Sequence, residues 1–355
     1  MKRRLHHIGE QIRRFLFFYA SAAIATGWAA GVAWPEFARA HAATLGLAMN
    51  VIVFLMIYPM MIGLDFAQLP KVLARPRPVL VSLAYNFVVT PLLAWALVQT
   101  MSGPPELALG FYLVMLIPGS SMAIAYTHMA GGSVEVATLA QAAGFLVVPV
   151  LLPFFMHFVG QTYAVTVPLA SLMQTVLLVL ILPMALGALT RRALVRSQGP
   201  QVIPRIKPVL GLIPAVTMLL LMALIFFSKG ALLAQQWQAL LPLMGATFAF
   251  VVIILALMTW LNRRLGLGYA EHMAVAFVSS GKNNATAIAI AISVAGFSPL
   301  VAVPAATLPL FQAVLLVAYV QMAGWLRRYY GVTATPAAHP APTAPGHGGP
   351  APLGR

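Results

Sequence analysis

Ten apolar runs, each roughly twenty residues long, fill nearly all of the chain before residue 330. They fall near 14–34, 43–63, 78–101, 106–129, 133–159, 166–190, 208–228, 239–262, 270–296 and 300–326. A helix rising about 1.5 Å per residue needs a run of this length to cross a hydrocarbon layer of about 30 Å. In lipid every backbone N–H and C=O must find an internal partner, so each run is expected to be helical. The sequence therefore predicts an all-α polytopic membrane protein of about ten transmembrane helices. A water-soluble fold is excluded: 8% of residues are charged and 61% hydrophobic, whereas a soluble domain carries about 25% charged residues.

The net charge of +15 would suit a nucleic-acid partner if it were spread over one surface. Instead the cations sit in short clusters between apolar runs, which is how membrane proteins set their orientation. With the N-terminus in the cytoplasm, eighteen Lys and Arg fall inside, only Arg39 and Lys229 fall outside, and Lys282 lies within a span. Both termini are thus expected on the cytoplasmic side of a bacterial inner membrane, with the bilayer as partner and no nucleic acid. Residues 1–13 read as a cytoplasmic tail. Residues 331–355, rich in Pro, Ala and Gly, read as a disordered one, and the wide spacing of His339 and His347 does not suit a metal. Cysteine is absent, which removes disulfides, thiolate metal sites and thiol nucleophiles. No intramembrane carboxylate or close His pair is visible, so the sequence predicts neither an enzyme nor a cofactor.

The longest polar connection, from about Arg191 to Lys207, divides the spans into two sets of five, at 14–160 and 161–328. An odd number of spans per half gives the halves opposite orientation, as an inverted repeat requires. The fourth span is interrupted at Pro118, Gly119, Ser120 and Ser121, and the ninth at Ser279, Ser280, Gly281, Lys282, Asn283 and Asn284. Both interruptions come about 12 residues into their spans, or roughly 18 Å, close to the bilayer midplane. Two helices broken at matching depth in matching positions point to a transport site, because exposed backbone at that depth must line a cavity or be buried in protein.

Lys282 is the most informative residue of these. A lysine at a helix centre costs about 2.5 to 3.5 kcal/mol on insertion scales, and no acidic residue is expected at its depth. Three roles are open to it: an uncharged amine, a ligand for an anionic substrate, or an ammonium filling the place of a bound cation. Asn86, Gln141 and Thr286 are further polar candidates near the breaks, beside Ser120, Ser121, Ser279, Ser280, Asn283 and Asn284. Helix-packing glue is the alternative role for each of them.

From Gly63-Leu64-Asp65-Phe66 through Asn86-Phe87, Pro91, Trp95, Pro104-Pro105-Glu106, Pro118-Gly119, Pro149 and Pro153, the chain resembles the bile acid:sodium symporter superfamily. Gly281-Lys282-Asn283-Asn284 fits that family's Gly-x-Gln-Asn segment, and Val301-Ala302-Val303-Pro304 continues the likeness. The resemblance implies a panel of spans 1, 2, 6 and 7 and a core of spans 3 to 5 and 8 to 10. Broken spans 4 and 9 would cross in the core, with substrate between core and panel. In sodium-coupled members two cation sites draw on spans 3, 4, 5 and 9, including a Glu in span 9. The aligned residues here are Asn86, Ala123, Ile124, Ala137, Gln141, Ser279 and Asn283, with no carboxylate among them and a cation added at Lys282.

The expectation is therefore a secondary transporter for a small organic anion, not coupled to Na⁺ and working by uniport, exchange or proton linkage. A homo-oligomer is compatible with these spans. Partial likeness to the arsenite-exporter branch, at Ala274-Val275-Ala276-Phe277 and Asn283-Asn284, gives a second reading. That branch implies a Cys in span 4 and an acidic residue where Thr286 stands, and neither is present. A non-transporting sensor is a third reading.

Overall fold

The computed structural model describes residues 16–64, 70, 76–119, 121–163, 169–235, 237–294 and 297–332. Among these every regular element is a helix. Ser120, both chain tails (1–13 and 333–355), Asp65, Phe66, Lys71 and Arg75 lie outside the described residues, as does the side chain of Ser121. The first half of the chain supplies α1 (Leu16–Ala33), the short α2 (Pro35–Ala40), α3 (Ala42–Gly63), α4 (Pro76–Val98), α5 (Pro105–Leu116), α6 (Ser121–Met129) and α7 (Val134–Thr162). The second supplies α8 (Leu169–Gln198), α9 (Val202–Gln235), α10 (Leu240–Arg264), α11 (Tyr269–Ser280), α12 (Asn284–Ser293), α13 (Val303–Gln321) and α14 (Ala323–Tyr329).

Each of the ten apolar runs coincides with a helix or a helix pair. Among the described residues, seven helices are long and apolar enough to cross a bilayer unbroken. The remaining runs are α1 and the two interrupted spans, α5–α6 and α11–α12, whose halves are each too short to cross alone. Large apolar side chains such as Leu47, Leu92 and Phe158 stand exposed on the outer surface, which in a multi-pass membrane protein is the face turned to lipid. One boundary departs from the sequence reading. The polar stretch from Arg191 to Lys207 is mostly helix, because α8 runs on to Gln198 and α9 starts at Val202. Hydropathy marks where lipid ends, and these helices continue past it with Arg191, Arg192, Arg196, Arg205 and Lys207 on the extended turns.

Two spans carry a π turn, and each precedes a proline. Thr90 N–H reaches back to the Tyr85 carbonyl before Pro91, and Leu182 N–H reaches back to the Leu177 carbonyl before Pro183. Proline lacks an N–H and its ring clashes with the carbonyl four residues back, so the wider turn absorbs the misfit. In α4 that turn holds Tyr85 and Asn86, and both prove to be hydrogen-bonding residues.

Helix packing follows a repeated scheme. Helix α1 lies on α9 and α3 on α8; α4 packs on α7 and α10 on α13; α5 packs on α13 and α11 on α7; α4 meets α5 and α10 meets α11. The α1–α9 contact brings backbones close together, since a Cβ on Gly27 would lie 2.2 Å from the Ala223 carbonyl oxygen and one on Gly31 2.3 Å from that of Phe227. Small residues spaced four apart allow this backbone approach, and Trp28 Nε1 seals it with a 3.0 Å bond to the Gly230 carbonyl.

Candidate functional site

Between α5 and α6, and again between α11 and α12, the backbone leaves the helical region. Ile117 is extended, Pro118 follows it, and Gly281 and Asn283 also stand outside helical angles. Breaking a helix inside lipid strands backbone groups, and here the two breaks satisfy each other. Gly119 N–H donates to the Val278 carbonyl at 2.9 Å, and Asn283 N–H donates to the Ile117 carbonyl at 3.4 Å. Glycine is required at position 119, because a Cβ there would lie 2.9 Å from the Val278 oxygen and 3.0 Å from its Cα.

Lys282 lies inside the second break and is fully buried. Its Nζ donates to Asn86 Oδ1 at 2.8 Å and to Thr90 Oγ1 at 3.5 Å, and stands 5.7 Å from the ring centroid of Phe250. Asn86 is held in turn: its Nδ2 donates to the Ser82 carbonyl at 2.9 Å and to Ser279 Oγ at 3.1 Å. Ser82 and Ser279 hydroxyls share a 3.1 Å bond. From α13, Gln312 Oε1 accepts the Lys282 N–H at 3.0 Å while its Nε2 donates to the Lys282 carbonyl at 3.2 Å. Three spans thus fix one amine and the peptide units that carry it. Among the described residues no carboxylate pairs with Lys282, and its amine meets oxygen atoms and an aromatic face instead.

Asn283 caps α12, with Oδ1 accepting the Thr286 N–H at 3.1 Å. Its Nδ2 contacts Met60 Sδ on α3 at 3.6 Å. Ten residues further along α12, Ser293 Oγ donates to Asn50 Oδ1 at 3.2 Å, so α12 runs antiparallel to α3 in register. Asn284 Oδ1 and Thr286 Oγ1, both on the first turn of α12, are buried without a hydrogen-bond partner, and so are both amide atoms of Gln141 on α7. Each such group normally costs about 1 to 3 kcal/mol, so these positions are suited to a polar guest.

The site residues expected from sequence separate accordingly. Asn86, Ser279 and Lys282 come together; Pro118, Gly119, Gly281 and Asn283 build the crossing; Asn284 and Thr286 open α12. Ser280 is buried but spends its hydroxyl on the Ala276 carbonyl of its own helix, at 2.6 Å. Gln141 is buried on α7 and bonds to none of the others. Sequence reasoning missed Ser82, Thr90 and Gln312, each a polar residue within an apolar run. It also missed a second buried network on the side of the core where α4 begins and α10 ends. Tyr85 OH donates to Asn262 Oδ1 at 2.9 Å, Asn262 Nδ2 lies 3.0 Å from His272 Nδ1, and His272 Nε2 lies 2.8 Å from Tyr319 OH. Tyr319 OH lies 2.6 Å from Thr259 Oγ1, which donates to the Leu255 carbonyl. These donors run in one direction when His272 is neutral with its proton on Nε2.

Comparison with known proteins agrees with this architecture. Residues 50–236, just over half of the chain, match the model of the Sodium Bile acid symporter family. The chain is 26% identical to arsenical-resistance protein Acr3 of Alkaliphilus metalliredigens over 52% of its own length and 56% of that protein's. It is 22% identical to an uncharacterized transporter of Synechocystis over 80% of its length and 81% of the relative's. With an uncharacterized sodium-dependent transporter of Bacillus subtilis, YocS, identity is 24% over 68% of this chain and 71% of the other. The chain therefore spans little more than half of the arsenical-resistance protein and most of the other two. It is a multi-pass membrane protein that belongs to the Sodium Bile acid symporter family.

Proposed function

We propose that this protein is a secondary transporter that carries a small organic anion across the bacterial inner membrane by alternating access, with the Lys282 amine in place of a coupling sodium ion. The observation that carries this reading is the buried amine on the oxygens of Asn86 and Thr90. A bound cation would take oxygen ligands of this kind, and a tethered one cannot leave. The repeated packing scheme supports two inverted halves. The panel is then α1, α3, α8 and α9, and the remaining long helices form the core. Helix α12 belongs to the core yet lies against α3 of the panel. The orphaned acceptor of Asn284, the hydroxyl of Thr286 and the positive end of the α12 dipole all belong to the first turn of this helix, near the boundary where substrate would bind.

Uptake of labelled organic anions and of arsenite into proteoliposomes tests this, with and without Na⁺ and pH gradients, for wild type and Lys282→Ala. Sodium-independent anion uptake that the variant loses supports the reading. Steep sodium dependence in the wild type overturns it. Arsenite flux in place of organic-anion flux would favour the function that the name of the Alkaliphilus relative states.

A further inference from the structure

Past the close approach at Gly31 and Gly230, the short helix α2 packs beside α9. Two clefts open there. One, of about 400 Å³, is walled by Ala30, Trp34, Phe37 and Phe227 and is apolar. The other, of about 260 Å³, is bordered by Arg39, Ser228, Lys229 and Gln235 and shares Phe227 with the first. The pair forms one amphipathic hollow with a cationic half and an apolar half.

Its cations are Arg39 and Lys229, the two that the alternation of charge puts on the outer side. Positive residues avoid that side in the inner membrane, so finding both in one cleft calls for a local reason. Lys229 is half-buried and has no carboxylate partner among the described residues. Arg39 pairs with Glu36 at 3.3 Å through one Nη, with both side chains largely exposed, which leaves its other donors free to take an anion. Ser228 already donates to the Ile225 carbonyl. Trp34 and Phe37 are exposed on the apolar side, where tryptophan typically marks the level of lipid headgroups.

We propose that this hollow holds an acidic phospholipid of the outer leaflet. Its phosphate lies between Arg39 and Lys229, and one acyl chain lies along Ala30, Trp34, Phe37 and Phe227. The assignment rests on the orientation used for the proposed function, though not on transport itself. A lipid fits better than a soluble anion because the apolar half opens on the face turned to the bilayer.

Native mass spectrometry of the full-length protein, titrated with phosphatidylglycerol or phosphatidylcholine, tests it without any flux measurement. One phosphatidylglycerol should be retained in preference to phosphatidylcholine by about thirtyfold, the product of roughly fivefold from each of the two cations. Arg39→Gln with Lys229→Gln should abolish that preference. Arg39→Lys with Lys229→Arg, and Arg328→Gln outside the cleft, should keep it. Quenching of fluorescence by brominated phosphatidylglycerol should drop in Trp34→Phe. Equal retention of the two lipids, or a preference that survives the double Gln variant, overturns the proposal. So does displacement of the lipid by decanoate at concentrations where decanoate is carried, since the hollow would then be a substrate vestibule.

Discussion

Gln312 holds Lys282 by its backbone, accepting from the N–H and donating to the C=O with a single side-chain amide. The amide supplies the partners that an intact helix would otherwise have given that residue, so α13 splints the break in the ninth span. The Lys282 N–H also reaches the Ser280 carbonyl at 3.0 Å, so Gln312→Leu strands the Lys282 carbonyl and should lower stability by about 1 to 3 kcal/mol. Thermal unfolding in detergent checks this, and an unchanged Tm would show that the break does not depend on the splint.

The amine itself should behave as half of a pair. Lys282→Met strands Asn86 Oδ1, and Asn86→Leu leaves the amine only its long 3.5 Å bond to Thr90 Oγ1, so each single variant leaves a buried polar group poorly satisfied. The double variant leaves neither. A double-mutant cycle on unfolding should give a coupling of about 1 to 3 kcal/mol, with the pair of substitutions less damaging than the sum.

At the crossing, Gly119→Ala should be severely destabilising, by more than about 2 kcal/mol, because the new methyl meets backbone atoms of Val278 that cannot give way. Gly46→Ala, on an open face of α3 with nothing within 4 Å, should be neutral or gain up to about 1 kcal/mol. Yield and Tm of the two variants measured side by side decide the matter.

These positions show what a sequence reader can and cannot see. Pro118-Gly119 and Lys282 announce themselves, since a helix breaker and a charge inside an apolar run conflict with lipid. Gln312 gives no comparable sign, because one amide in a span is compatible with many partners and only the fold chooses Lys282. His272 was hidden for the same reason, its partners Asn262 and Tyr319 lying on α10 and α13. The continuation of α8 to Gln198 escaped notice because polar residues form helix in water as readily as they form loops.

The His272 network predicts a graded series. His272→Leu leaves Asn262 Nδ2 without its acceptor and Tyr319 OH with Thr259 alone, and should cost about 2 to 3 kcal/mol, whereas Tyr85→Phe removes one terminal donor and should cost about 1 kcal/mol. The Nδ1 nitrogen resonance of labelled His272 should report an unprotonated nitrogen; a proton found there would reverse the chain of donors.

Because the chain has no cysteine, Asn50→Cys with Ser293→Cys would carry the only thiols. Oxidation should join α3 to α12 and stop uptake in proteoliposomes, with recovery on reduction. Full activity in the cross-linked protein would mean that these two helices do not separate during turnover.

The exchange of bonds between the two breaks also sets an order of assembly. Gly119 N–H and the Ile117 carbonyl wait for partners that lie in the ninth span, synthesised about 160 residues later, on the order of ten seconds or more of translation. During that interval the fourth span must shelter its bare peptide groups with water, lipid headgroups or the insertion machinery. The first half of this molecule is thus an unfinished object in the membrane, and its completion is timed by the arrival of Val278 and Asn283.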